Sequence, residues 1–380
     1  MKKILILAAA AMLLAGCARE SESVPAASTN VISPETTVQT VPTETTAPED
    51  PLRTILNGMT LEEKVGQLFL ARCRKETGVE DITAYHPGGY VLFGRDFDDQ
   101  TSDGLRAQLE RYQSAANIPM LMAVDEEGGT VCRVSSHPAF RAEKYPSPRE
   151  AYAMGGMAVA LSVEWDKAYL LNSLGLNVNL APVCDISQAP GAFMYARSLG
   201  EDPQTTAEFV TGALERMAEN GVGGVMKHFP GYGDNADTHT GSAVDDRSLE
   251  VLENRDLIPF QAGIDSGLGA VLVSHNIVTA LDGERPASLS PAVMAYLRQS
   301  MGFSGVILTD DLSMGALEDY TPEEAAVLAL QAGAIMLCST DFDTQIPAVL
   351  EAVRNGRLSE QAVEDAVYKI LTWKQSLGLL

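Results

Sequence analysis

Short apolar runs alternate with longer amphipathic segments along most of the chain, and this alternation restricts the fold more than any other feature. Runs rich in leucine or β-branched residues predict buried parallel strands, and the segments between them predict crossover helices. The predicted strands cover residues 67–71, 89–93, 120–124, 176–180, 224–227, 270–274, 306–309 and 334–338. Eight strand and helix units in one domain predict an α/β fold, specifically a (β/α)8 TIM-type barrel with its active site at the C-terminal ends of the strands.

Two of the predicted helices begin with capping boxes, in which a threonine and a glutamate three residues later bond to each other's backbone N–H groups. Thr60 with Glu63 forms the first box, and Thr321 with Glu324 forms the second. The last predicted helix carries an apolar stripe at helical spacing, formed by Ala362, Val363, Ala366, Val367, Ile370 and Leu371. We expect this stripe to be buried.

An open doubly wound sheet has the same alternation of strands and helices and is the main alternative fold. The sequence contains neither the Gly-x-Gly-x-x-Gly fingerprint after its first strand nor a Gly-x-x-x-x-Gly-Lys-Ser/Thr phosphate loop. Nucleotide binding is therefore not expected, and the barrel is the favoured fold.

The N-terminus has the layout of an export signal, because Lys2 and Lys3 precede an apolar run over 4–14 that ends in small residues. Residues 14–17 read LAGC and resemble the bacterial lipobox, in which cleavage leaves the cysteine first in the chain and ready for lipid attachment. We predict a lipoprotein signal peptide over 1–16 and a lipidated Cys17. An ordinary signal peptide with a chance cysteine is the alternative.

A segment rich in Ser, Thr, Pro and Glu follows over residues 17–50. Such a composition buries too little apolar surface to offset chain entropy, so it predicts a disordered stalk. Residues 51–380 then form the predicted catalytic domain. We expect an exported protein that is lipid-anchored to the cell membrane on its extracytoplasmic side.

Charge and cysteine spacing exclude several classes of function. The formal net charge of −24 argues against nucleic acid as a partner. The cysteines of the predicted domain, Cys73, Cys132, Cys184 and Cys338, are widely spaced, which predicts buried thiols rather than a zinc site or a disulfide framework. We expect no metal or organic cofactor, and we expect a monomer.

Polar and charged residues directly follow five of the predicted strands. They are Asp125 after the third, Asp185 after the fourth, Lys227 and His228 at the fifth, His275 after the sixth, and Asp310 with Asp311 after the seventh. Any one of them alone could cap a helix or lie in a surface turn. Because the C-terminal ends of barrel strands share one rim, the five together predict a functional site.

Some of these groups suit the two roles in glycoside hydrolysis, a nucleophile and an acid/base. Asp310 ends a rigid strand, where a nucleophile is held in place, while Asp311 is expected to point away from the pocket and cap the following turn. His239 lies in the loop after the fifth strand, two residues beyond Asp237, and histidine exchanges protons near neutral pH. Spacing alone leaves open a His–Asp surface pair without function, or Schiff-base chemistry on Lys227.

Four segments have the residue types and the order of a known enzyme family: VDEEGG at 124–129, RSLGEDP at 197–203, KHFPG at 227–231 with DTH at 237–239, and TDDLSM at 309–314. They resemble family 3 glycoside hydrolases, in particular the NagZ-like single-domain branch of β-N-acetylglucosaminidases. The resemblance implies a (β/α)8 barrel and hydrolysis with retention of configuration through a covalent glycosyl-enzyme.

Matched position by position, the resemblance implies that Asp310 is the nucleophile and that His239, paired with Asp237, is the acid/base. It implies that the aminosugar is bound by Asp125, Arg133, Arg197, Lys227 and His228. The implied reaction removes terminal β-linked N-acetylglucosamine from GlcNAc-containing oligosaccharides or muropeptides, with peptidoglycan fragments as the expected source.

Three alternatives to this reaction remain open on the sequence: a β-glycosidase of other specificity, a β-N-acetylglucosaminide phosphorylase, and a sugar-binding lipoprotein without catalysis. The chain also departs from the family pattern at Thr130, Cys132 and Tyr232. We expect these three residues to affect the leaving-group side of the pocket and to leave the nucleophile and the acid/base unchanged.

Overall fold

Eight parallel strands form the centre of the computed structural model, which describes residues 50–239 and 241–380. They are β1 (Phe69–Arg72), β2 (Gly89–Leu92), β3 (Leu121–Val124), β4 (Val178–Asn179), β5 (Gly223–Phe229), β6 (Ala270–Val273), β7 (Ile307–Thr309) and β8 (Leu337–Ser339). The sheet order is β7-β6-β5-β4-β3-β2-β1-β8. A parallel bridge between Leu308 and Met336 joins the two outer strands, so the sheet closes and the predicted barrel is confirmed.

Helices follow each strand, as the alternation of apolar and amphipathic segments predicts. They are α1 (Pro51–Gly58), α2 (Leu61–Gln67), α3 (Gly78–Tyr85), α4 (Ser102–Ala115), α5 (Pro148–Ser173), α6 (Pro203–Glu219), α7 (Leu249–Val251), α8 (Leu257–Asp265), α9 (Pro291–Ala295), α10 (Pro322–Ala332), α11 (Phe342–Arg354) and α12 (Glu360–Ser376). A π-helical turn over Leu252–Asp256 joins α7 to α8, and another over Tyr296–Ser300 extends α9.

The capping boxes at the starts of α2 and α10 are confirmed, with both reciprocal bonds present at Thr60 and at Thr321. The apolar stripe of α12 is buried as predicted at its last five positions, from Val363 to Leu371. Ala362 is exposed instead, because the helix has only begun at Glu360 and its first turn faces solvent. The buried face extends further than predicted and takes in Lys374.

Strand β4 is shorter than the predicted strand over 176–180, while β5 is longer than predicted. The residues that flank β4 still bond to β3, since the N–H groups of Asn177 and Leu180 donate to the carbonyls of Met122 and Val124. Pro182 follows and has no N–H to continue the ladder.

Two short strand pairs lie in the loops at the C-terminal end of the barrel. Glu126–Gly128 pairs antiparallel with Val131–Cys132 in a hairpin directly after β3. Val244–Asp245 pairs parallel with Ile277–Val278 in the loops after β5 and β6. The hairpin matters for function because it brings residues 125–133 over the mouth of the barrel.

The predicted signal peptide over 1–16, Cys17 and nearly all of the predicted stalk over 17–50 lie outside the described residues, so these remain predictions. The four cysteines at positions 73–338 are free and buried, as expected. Within the described ranges, no helix combines the length and the apolar character that crossing a membrane requires.

Candidate active site

A cavity of about 720 Å³ opens at the C-terminal ends of the barrel strands. All eight residues with a predicted catalytic or sugar-binding role line it: Asp125, Arg133, Arg197, Lys227, His228, Asp237, His239 and Asp310. A second cavity of about 480 Å³ lies at the opposite end of the barrel and is lined mainly by glycine and apolar side chains. The cavity with converging charged groups is the one with the chemistry of an active site.

Lys227, in β5, is the centre of a buried charge cluster. Its Nζ lies 2.6 Å from Asp125 Oδ1 and 2.7 Å from Glu127 Oε1. Glu127 also accepts from Arg197 at 2.8 Å and 2.6 Å in a two-pronged contact. Burial opposes the ionisation of Glu127, yet the charges of Arg197 and Lys227 hold the pKa of its carboxyl far below the usual range.

Glu127 was not predicted as a site residue, although it stands inside the VDEEGG motif at 124–129. The charge balance of the predicted pocket could have revealed it, because the three cations Arg133, Arg197 and Lys227 need more negative charge than Asp125 supplies. Glu127 supplies that charge. Behind it, Lys167 of α5 donates to the Glu127 carbonyl at 2.7 Å and holds this part of the hairpin in place.

His228 is held in one orientation by groups on both of its ring nitrogens. Asp185 accepts from Nδ1–H at 2.7 Å and also accepts from the N–H groups of His228 and Tyr232. Arg197 Nη2, which can only donate, lies 3.2 Å from Nε2. The His228 ring is therefore fixed between Asp185 and Arg197.

Asp310 follows β7, and its backbone N–H donates to the Val273 carbonyl at 3.0 Å. Its carboxylate accepts the Asp311 N–H at 2.9 Å. Burial raises the pKa of Asp310, but the charges of His275 and His228 and the Asp311 N–H outweigh burial and hold it below the usual value. A carboxylate kept ionised in a cavity has the state that a nucleophile needs.

Asp311 and His275 form hydrogen bonds that hold the turn after β7 in place. The Asp311 carboxylate accepts from the Ser313 hydroxyl at 2.9 Å and from the Thr340 hydroxyl at 2.6 Å, so the expected capping of this turn is confirmed. Asp311 nevertheless lines the cavity, which corrects the expectation that it points away. His275 is fully buried and donates to the Asp311 carbonyl from Nε2 at 3.0 Å, with Nδ1 2.6 Å from the Ser288 hydroxyl.

His239 and Asp237 form a pair in the loop after β5. His239 Nδ1 lies 2.6 Å from Asp237 Oδ1, which also accepts the His239 N–H at 2.9 Å. The His239 side chain is 60% exposed, and its ring meets the edge of Phe193 at 6.2 Å. Because Asp237 occupies Nδ1, Nε2 is the nitrogen left to exchange a proton.

The three departures from the family pattern differ in position. Thr130 lines the cavity, while Cys132 and Tyr232 are buried and do not. Tyr232 packs edge-on against His228 at 5.3 Å, and its hydroxyl bonds to Thr238 in the loop that carries His239. Of the three, only Thr130 is therefore positioned to contact a bound substrate, whereas Tyr232 holds the loop that carries His239.

Comparison with known proteins identifies the family. The model of the Glycosyl hydrolase family 3 N terminal domain matches residues 60–373. Beta-hexosaminidase LpqI of Mycobacterium tuberculosis is 32% identical over an alignment of 388 residues, which covers 98% of this chain and 97% of the relative. A beta-hexosaminidase of Tolumonas auensis is 34% identical over 278 residues, or 71% of this chain and 81% of the relative.

A solved structure agrees with these sequence similarities. The glycoside hydrolase family 3 beta-N-acetylglucosaminidase from Paenibacillus sp. superposes with a TM-score of 0.79 at 31% identity. The superposition covers 84% of this chain and 63% of that longer chain. With a family match over most of its length and a barrel of the same fold, the chain belongs to glycosyl hydrolase family 3.

Proposed function

We propose that this protein is a retaining exo-β-N-acetylglucosaminidase that hydrolyses terminal β-linked GlcNAc. The observation that carries the proposal is the presence, in one cavity, of an ionised carboxylate at Asp310 and of the His239–Asp237 pair. A nucleophile and an acid/base are the two groups that retaining hydrolysis needs. The names of the M. tuberculosis and T. auensis relatives, both beta-hexosaminidases, support the choice of sugar.

In the first step, Asp310 attacks the anomeric carbon and forms a glycosyl-enzyme ester, while Nε2–H of His239 protonates the departing glycosidic oxygen. In the second step, neutral His239 takes a proton from water, and the resulting nucleophile releases the sugar from Asp310. Asp237 accepts from Nδ1–H throughout and stabilises the positive charge of the imidazolium form.

The charged residues around Lys227 bind the sugar ring in this proposal. Asp125, Arg133, Arg197, Lys227 and His228 offer donors and acceptors for the hydroxyl groups. Because Glu127 holds Arg197 and Lys227 in place and Asp185 holds His228, the hydrogen bonds of these three side chains need no rearrangement when the ring flattens toward an oxocarbenium ion.

Peptidoglycan fragments are the substrates that we propose, and the extracytoplasmic side of the cell membrane is the proposed location. The support is the lipobox-like sequence ending at Cys17, which would place the enzyme outside the cytoplasm. The purified protein is expected to act as a monomer.

The test is a panel of aryl β-glycosides that differ only at the 2-position, assayed with and without phosphate. We expect the 2-acetamido substrate to be turned over fastest, with free N-acetylglucosamine as the product in both buffers. Preference for a 2-hydroxyl substrate would contradict the sugar assignment. A sugar phosphate as the main product would identify a phosphorylase instead.

A further inference from the structure

Among the described residues, four arginine or lysine side chains line the active-site cavity, and they differ in how their charge is balanced. Lys227 and Arg197 both contact the Glu127 carboxylate. Arg72 and Arg133 form no ion pair and no side-chain hydrogen bond within residues 50–239 and 241–380, and the Nε of each is buried without an acceptor. In a chain with a formal net charge of −24, two unneutralised guanidinium groups in one cavity require an explanation.

Arg72, the last residue of β1, lies closer to an aromatic ring than Arg133 does. Its guanidinium lies 3.9 Å from the centre of the Phe93 ring, and that of Arg133 lies 5.7 Å from the same ring. An aromatic face attracts the cation but accepts none of its five N–H donors in the way an oxygen does. The contact therefore orients Arg72 and leaves its hydrogen-bonding capacity unused.

The nearest carboxylates are already engaged elsewhere. Asp311 accepts from Ser313 and Thr340, and Asp96 accepts the Phe93 N–H at 2.8 Å. Burial and the charge of Arg95 lower the pKa of Arg72 more than these two acids raise it. An anion bound from solution would supply the missing charge and acceptors.

The order of the strands around the barrel indicates which part of a bound substrate lies next to Arg72. In a closed ring of eight strands, β1 lies opposite β5, which carries Lys227 and His228 and leads into the loop with His239. The His239 side chain is 60% exposed and that of Lys227 only 3%, so the acid/base, and with it the leaving group, lies toward the mouth of the cavity. This step rests on the proposed function, and it places Arg72 beside the terminal sugar, on the side away from Lys227.

We propose that Arg72 binds an anionic substituent of the terminal sugar, carried on the exocyclic carbon C6 as a sulfate ester, a phosphate ester or a carboxylate. A guanidinium matches the oxygen geometry of all three groups with two parallel hydrogen bonds. C6 is the position because it is the one exocyclic carbon of the sugar skeleton, so an anionic group there stands clear of the ring hydroxyls. Arg133, whose guanidinium lies 5.7 Å from the same Phe93 ring, adds positive charge nearby.

The test compares 4-nitrophenyl β-N-acetylglucosaminide with its 6-O-sulfate, using the full-length protein and the variant Arg72→Gln. The quantity measured is the ratio of kcat/KM for the sulfated substrate to kcat/KM for the neutral one. We expect this ratio to fall about tenfold or more in Arg72→Gln, because hydrogen bonds to a charged group are stronger than those to a neutral one. A third substrate, with a carboxylate on the aryl leaving group, is expected to show no such change.

Arg141→Gln is the matched control. The Arg141 guanidinium also lies over an aromatic ring, 4.1 Å from the centre of Tyr145, and its Nε is also buried without an acceptor. Arg141 lies outside the cavity, so its replacement is expected to leave the ratio as in the wild type. An unchanged ratio in Arg72→Gln, or a loss confined to the substrate with the charged leaving group, would overturn the proposal.

Calorimetric binding of free N-acetylglucosamine and of its 6-sulfate separates this inference from the proposed function, because it requires no turnover. We expect the wild type to gain affinity from the sulfate and Arg72→Gln to lose that gain. Absent turnover of the neutral glycoside would refute the hydrolase proposal alone, whereas equal affinities of the wild type for both sugars would refute the role of Arg72.

Discussion

At the scale of single residues, Glu127 determines the geometry of the sugar pocket. One fully buried carboxylate contacts both Arg197 and Lys227, and Arg197 in turn faces His228. Removing this carboxylate leaves two buried cations with too little negative charge. We therefore expect stability and sugar binding to depend on the same residue.

Replacement of Glu127 by glutamine is expected to lower the free energy of unfolding by about 3–5 kcal/mol at neutral pH. Because the folded pKa of Glu127 is held below its ordinary value of 4.5, its contribution is complete above that pH and is lost as the pH falls toward the folded pKa. The difference between wild type and variant should therefore shrink in acid, as measured by denaturant unfolding at several pH values. A constant difference would contradict the assignment, and the exposed Glu110→Gln is the control.

Replacement of His239 by alanine is expected to lower kcat/KM by about 10²–10⁴-fold for glycosides with poor leaving groups. Aryl glycosides with good leaving groups need little protonation, so their loss in the first step should be much smaller. The measurement is a series of aryl β-N-acetylglucosaminides of graded leaving-group pKa. Equal losses across the series would argue against the acid role.

The eight site residues were predictable because each stands beside a recognisable strand end or motif, and the structure brings all of them to one cavity. Their roles in catalysis remain predictions. Glu127 and Arg72 were not predicted, and Asp185 was predicted at the rim without a role, since the importance of all three lies in contacts between residues far apart in the chain. Glu127 and Lys227, for example, are separated by 100 positions and meet only in the folded barrel.

At the scale of elements, strands were easier to predict than their ends. The apolar runs located all eight barrel strands, because burial on both faces leaves a continuous apolar signal. The predicted length of β4 was wrong, because the length of a strand depends on which N–H groups form ladder hydrogen bonds rather than on hydropathy. The hairpin formed by Glu126–Gly128 and Val131–Cys132 was not predicted, because two adjacent charged residues, Glu126 and Glu127, interrupt the apolar pattern by which a strand is recognised.

Helix α12 carries a buried amine that hydropathy does not reveal. Lys374 is fully buried, its Nζ donates to Gln67 Oε1 at 2.6 Å, and burial lowers its pKa to about 7. The unfolded chain thus binds more protons than the folded one between pH 7 and the ordinary value of 10.5. Stability should rise with pH across this window through this group.

Replacement of Lys374 by methionine is expected to remove that rise, which for the wild type amounts to roughly 3–5 kcal/mol at most. Below about pH 7 the free-energy penalty of the buried charged amine is constant, so the gain in stability of the variant over the wild type should be largest there. This gain is reduced by the cost of leaving Gln67 without its hydrogen-bond donor. Unfolding free energies between pH 6 and 10 check this. A wild-type slope retained in the variant would contradict it, and the exposed Lys75→Met serves as the control.

At the scale of the whole molecule, the charges of the chain are distributed unevenly. A formal net charge of −24 surrounds a cavity whose cations are partly unneutralised. Such an arrangement disfavours nucleic acid and suits a neutral sugar or a sugar with a localised anionic group. The fold brings the cations of the cavity together at the C-terminal end of the barrel, which is where the proposed hydrolysis takes place.

The most direct test of the central claim is to trap the sugar on the enzyme. A 5-fluoro N-acetylglucosaminyl donor slows both steps and lets the glycosyl-enzyme accumulate for peptide mass spectrometry. We predict one added sugar on the peptide that contains Asp310, and none in Asp310→Ala. A sugar on another residue, or turnover with an inverted product and no adduct, would contradict the account.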